Sequence, residues 1–149
     1  MLFVPNIIWA KKAKPRGYDE AAKKENKVLL IFERIGQVAV TCSLLVFVAI
    51  NPHIMLLPEG LFIDFKIIIW LAAFVLMVFY EVFWIRYFCS KKTMKDYYRS
   101  LAGFPLAGAT LPVIAVFLLG LYSGNIVIIV SDVILGIGHI GIHYGHTKE

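Results

Sequence analysis

The sequence predicts an all-α membrane protein: an antiparallel bundle of four transmembrane helices with both termini cytoplasmic. Three observations carry that expectation. Hydrophobic residues make up 60% of the 149-residue chain, and its mean hydropathy is +0.77, above the apolar share of ordinary soluble domains. Charged residues are absent from Leu101 to Val130 and again between Asp132 and Lys148. A small soluble core could not bury two such stretches. Lysine and arginine, finally, gather beside apolar segments and leave the other connections empty.

A helix needs about 20 mostly apolar residues to cross the hydrocarbon. Four segments are expected to do so: 28–50, 61–88, 101–122 and 125–144. Asn51-Pro52 ends the first. Asp64 and Lys66 lie near the start of the second, and Arg86 near its end. The turn Ser123-Gly124-Asn125 is too short to join anything but an antiparallel helical hairpin. A strand over 136–144 is disfavoured, because lone strands leave backbone groups unpaired in lipid. Residues 28–149 thus form one four-helix domain, preceded by a basic, interfacial segment over 1–27. Its apolar start, Met1–Trp9, lacks a signal peptide's basic leader. It is expected to rest at the headgroup level, with Trp9 as anchor.

Orientation follows from the loops. Lys11, Lys12, Lys14, Arg16, Lys23, Lys24 and Lys27 precede the first span, and Lys91, Lys92, Lys95 and Arg99 lie between the second and third. Residues 51–60 and the Ser-Gly-Asn turn hold no lysine or arginine. The positive-inside rule puts both termini and the 89–100 loop in the cytoplasm. The expected location is a plasma membrane, the inner membrane of a bacterium. The net charge of +5 is then an attraction to anionic lipid headgroups rather than to nucleic acid. Cys42 and Cys89 form no metal-knuckle spacing; they read as small buried apolar side chains, with no disulfide between them.

The last span holds the chemistry. Taking His139 as zero on a helical wheel, Asp132 falls at about +20°, His143 at about +40° and His146 at about −20°. Gly138, Gly141 and Gly145 form a separate strip at about −100° to −160°, suited to close helix packing. Ionisable groups at membrane depth turn toward each other and away from lipid. The expected partners are Glu33, Gln37 and Thr41 in the first span, Glu81 in the second and Thr110 in the third, with Arg34 and Arg86 as counter-charges. Pro105 and Pro112 are expected to free the carbonyls of Leu101 and Gly108. His146 should lie beyond the span in solvent, and His53 at the outer interface.

Three functions fit this pattern. The first is transport or binding of a proton, a metal cation or a cationic solute by the His/Glu/Asp pocket. The second is a membrane metalloenzyme acting on a lipid or quinone, with His139, His143, Glu33 and Glu81 holding a divalent ion such as zinc, iron or manganese. The third is a non-catalytic assembly partner whose polar cluster only fixes helix register. Haem ligation is disfavoured, since two histidines one turn apart cannot take opposite axial positions. Phosphate-loop and dinucleotide fingerprints are absent. So small a bundle encloses little volume, and a homodimer is expected to complete any substrate path.

Overall fold

The structure, a computed structural model, describes residues 3–52, 54–57, 60–63 and 65–148; His53 and Asp64 lie outside them. Four helices dominate. They are α3 (Lys27–Val46), α4 (Ile67–Phe88), α6 (Ala107–Ser123) and α7 (Ile126–His146). α3, α4 and α7 are each long and apolar enough to cross a membrane, and α6 is a shorter apolar helix. Three shorter helices lie before or between them: α1 (Phe3–Ile8), continued by one wide turn over Trp9–Ala13, α2 (Tyr18–Ala22) and α5 (Met94–Tyr97).

Local chemistry sets the ends of the long helices. Asn26 caps α3 by accepting from the amides of Val28 and Leu29, and Asn125 caps α7 by accepting from those of Val127 and Ile128. Gly124, at φ 63°, closes α6 in the left-handed conformation, so 123–125 is the tight turn that the sequence implies. Residues 136–144 are helical throughout.

Three span boundaries need correction. The first helix stops at Val46 rather than Ile50, because Phe47 is extended and 48–50 tighten into a 3-10 turn ahead of Pro52. The second begins at Ile67 rather than at residue 61. Before it, strands β1 (Ile54–Leu57) and β2 (Gly60–Ile63) pair antiparallel, with Ile54 opposite Ile63. Apolarity alone cannot separate such short runs from helix. The third begins at Ala107 rather than Leu101, since Pro105 restricts Phe104 and Leu106 is left-handed at φ 49°. The Leu101 carbonyl is consequently not free: it accepts from the Phe104 amide at 2.9 Å. Pro112 does lie inside α6.

The long helices pack in the order α3–α7–α6–α4. The α3–α7 contact is the most extensive, followed by α4–α6 and α6–α7, and no comparable contact joins α3 to α4 among the described residues. Neighbours run antiparallel. Gly36 faces Leu135 while Gly138 faces Glu33, and Phe83 of α4 covers Gly108 of α6. At the lysine- and arginine-rich end, an aromatic core of Tyr80, Phe83, Trp84, Tyr87 and Tyr97 closes over Ala13, Ala107 and Leu111. Trp9 belongs to this core rather than lying free at an interface: it stacks on Tyr97 at 5.5 Å and meets Tyr18 edge-on at 4.8 Å. The Tyr87 hydroxyl donates to the Ala13 carbonyl (2.6 Å), and Asn6 donates to the Tyr80 hydroxyl (3.0 Å). Residues 3–22 are thereby docked across the end of α4. Cys42 and Cys89 are both exposed, which corrects the expectation of burial, as each sits on the outward side of its element.

Candidate functional site

The site forms along the seam between α3 and α7. Its width is set by two glycines. A Cβ on Gly138 would fall on the backbone of Glu33 and 2.7 Å from the Leu29 carbonyl oxygen, and a Cβ on Gly36 would fall on the backbone of Leu135. Backbones approach this closely only without side chains between them. The same approach carries Glu33 to α7, where its Oε1 lies 2.5 Å from His139 Nδ1. Gly141 faces the Leu29 side chain, whereas a Cβ on Gly145 meets nothing within 4 Å among the described residues. The three expected packing glycines therefore have three different surroundings.

From His139 the polar groups continue toward the basic end. The rings of His139 and His143 lie 4.4 Å apart, and His143 meets Tyr98 edge-on at 5.3 Å. The Tyr98 hydroxyl shares a 2.5 Å hydrogen bond with His146 Nδ1, its direction depending on the imidazole tautomer. His146 Nε2 lies 3.3 Å from Glu25 Oε1. Glu25, His146, Tyr98, His143, His139 and Glu33 thus stand in succession, with polar contacts at both ends and ring contacts on either side of His143. His143 is only 4% exposed, and its Nδ1 has no hydrogen-bond partner among the described residues. The expectation that His146 is solvated is corrected, for α7 extends through it and Tyr18 and Tyr98 enclose its ring.

Electrostatics at the surface end favour the protonated forms. Burial, then the nearby Glu33, pushes the Glu25 carboxyl above its usual range, with Arg34 opposing. Burial, followed by Tyr18 and Glu25, also raises the Tyr98 hydroxyl far above the ordinary phenol. Tyr98 therefore holds its proton at any working pH and can both donate and accept. Beside Glu25 and His146 lies a cavity of about 170 Å³, lined also by Asn26, Leu29, Gly141 and Ile142. It is polar at one wall and large enough for several waters.

Farther along α7, Asp132 is 1% exposed, and neither carboxylate oxygen has a hydrogen-bond partner among the described residues. It shares the histidine side of α7 at a distance of two helical turns from His139.

The other expected members stand elsewhere. Glu81 belongs to α4, separated from α3 by α6 and α7 in the packing order. Among the described residues, no three His, Cys, Asp or Glu side chains converge as a metal site. The set His139, His143, Glu33 and Glu81 is not assembled. Gln37 and Arg34 are exposed on α3. Arg86 donates to the carbonyls of Ser100 (2.9 Å) and Arg99 (3.3 Å), bracing the entry to α6. The Thr110 hydroxyl donates to the Pro105 carbonyl at 2.8 Å and lines an open groove with Tyr98 and Tyr144.

Sequence reasoning missed Tyr98 and Glu25. Both lie outside the apolar spans, and their only sequence signal is proximity to span ends. No protein-family model, curated protein or solved structure matches the chain.

Proposed function

We propose that this is a small membrane protein that binds and passes protons along the α3–α7 seam. In this reading all four long helices cross a plasma membrane, that of a bacterium, with both termini in the cytoplasm. The asymmetric lysines and arginines support that orientation and contact anionic headgroups. α6 is shorter than its neighbours, and its 17 residues rise about 26 Å. Local thinning of the bilayer accommodates the difference.

The observation that carries the reading is the succession of titratable side chains from Glu25 to Glu33, joined by polar contacts at both ends and by ring contacts at His143, beside two helices apolar enough to span. Imidazoles exchange protons near neutral pH, and carboxylates in a membrane accept them from neighbours. The Glu25–His146 end opens to the 170 Å³ cavity, where water can deliver the proton. Tyr98 accepts it at its oxygen from His146 Nδ1 and gives up its own hydrogen toward the neighbouring His143 ring. His143 and His139 pass it to Glu33. Asp132, two turns deeper on the same side of α7, is the next acceptor beyond the inner half.

Protein reconstituted in liposomes with an imposed pH gradient tests this. His139→Ala and Glu33→Gln should each lower proton flux at least about tenfold, as loss of a positioned proton carrier does. Unchanged flux in both variants, or no flux above protein-free liposomes, would refute the reading. Flux of a metal ion or organic cation without proton movement would replace it with cation transport.

A further inference from the structure

The order α3–α7–α6–α4 leaves two edge helices, and both carry polar groups that lipid would not accommodate. Arg34 lies seven residues in from Lys27 at the start of α3, about 10 Å along the axis. It is exposed. Gln37 is exposed one turn deeper. Glu81 lies seven residues in from Phe88 at the end of α4, so its distance from that end is also about 10 Å. Its Oε1 is buried without a hydrogen-bond partner among the described residues. Both helix ends abut the same turn. Tyr97 packs on Trp84 and Tyr87 of α4, and Tyr98 reaches His143 and His146 beside the start of α3. Arg34 and Glu81 therefore stand at one depth with opposite charge.

Helical phase puts Arg34 on the outer edge. The α3 residues that meet α7 are Leu29, Glu33 and Gly36, with Val40 and Ser43 buried on the same side. Arg34 lies about 130–160° around from their centre, together with Ile31, Val38 and Leu45. Those three are 57%, 65% and 76% exposed. On α4, Glu81 borders an exposed face formed by Leu71, Phe74, Val78 and Ile85.

We infer that copies of this chain associate edge to edge, α3 of one against α4 of the next, joined by Arg34–Glu81 ion pairs. Rotation about an axis along the membrane normal preserves depth, so this heterologous contact keeps Arg34 and Glu81 in register. α3 and α4 run in opposite directions, so the contact is antiparallel, like every neighbouring pair within the chain. It sets Val38 beside Val78 and Ile31 beside Ile85. Away from water the pair attracts strongly, Arg34 loses its exposure to acyl chains and Glu81 gains a partner. The inference stands apart from the proton reading, because neither residue belongs to the run from Glu25 to Glu33.

The test begins with a Cys42→Ser, Cys89→Ser background. Val38→Cys is placed in one tagged copy and Val78→Cys in a differently tagged copy, and the two are co-reconstituted in lipid. Oxidation should link the two tags. Either Arg34→Glu or Glu81→Arg should lower linking about tenfold, and the double reversal within each chain should restore at least half of it. Nanodiscs containing one chain each, linking only between Val38→Cys copies, or linking indifferent to both reversals would overturn the inference. The valine substitutions leave the charges intact, so the linking result stands even where a reversal fails to fold.

Discussion

The α3–α7 seam and the α4–α6 contact solve the same packing problem by opposite means. At the seam, Gly36 and Gly138 remove side chains so that backbone meets backbone. The narrow gap is then filled by a carboxylate–imidazole bond. At α4–α6, Phe83 lies over Gly108 and the space is filled by stacked rings, Tyr80, Trp84, Tyr87 and Tyr97. Inside a membrane apolar surface gains little by leaving lipid, so both contacts rely on close van der Waals fit. They differ in tolerance. Rings can be exchanged for smaller apolar groups at the cost of a cavity, whereas a side chain at Gly138 has nowhere to go.

Substitutions can sharpen that contrast, beginning with the largest expected effect. Phe83→Ala should lower stability by about 3 kcal/mol through the cavity it leaves, measured as unfolding in mixed detergent micelles, with proton flux per folded molecule retained. Gly138→Ala should cost about 2 kcal/mol by overpacking. Unlike Phe83→Ala, it should also abolish flux, because forcing α3 away separates Glu33 from His139. Gly145→Ala, where a Cβ meets nothing within 4 Å among the described residues, is the matched control and should change neither. If Gly138→Ala and Gly145→Ala behave alike, the seam is not as tight as the contrast requires.

A smaller loss, about 1 kcal/mol, is expected of Tyr98→Phe, which removes one hydrogen bond. Its flux should fall nonetheless, since the link between His146 and His143 is cut.

The weakest effect concerns the turn that carries Tyr97 and Tyr98. Thr93 and Asp96 form a reciprocal cap: Thr93 Oγ1 accepts from the Asp96 amide, and Asp96 accepts from the Thr93 amide and hydroxyl. These bonds hold the Asp96 carboxyl below its ordinary range. A lowered carboxylate stabilises the fold above its unfolded value, and that stabilisation fades as pH falls through the folded value. Acid titration of unfolding should therefore show a small loss of stability in wild type, and a flatter profile in Asp96→Asn.

Much of this architecture was legible in the chain. The turn at Ser123-Gly124-Asn125 and the polar face of α7 are local features, set by helix period and backbone preference, and each is where the pattern implies. The missed boundaries share a cause. Residues 60–63 and 101–106 are apolar enough to pass for helix, yet a strand partner in one and Pro105 with a left-handed Leu106 in the other redirect the backbone. At the site, helical phase sufficed to group Asp132, His139, His143 and His146 on α7. It could not choose between Glu33 and Glu81 as partner, because that depends on which helices touch. Glu25 and Tyr98 join the run only through the docking of distant segments, information that periodicity does not contain.

The central claim is that Glu33 and His139 act as one proton-handling unit across the seam. A double-mutant cycle on liposome proton flux tests it most directly, comparing Glu33→Gln, His139→Ala and their combination. Residues acting as a unit are non-additive: the double variant should be no slower than the slower single variant. Losses that multiply would show two independent contributions and contradict the account.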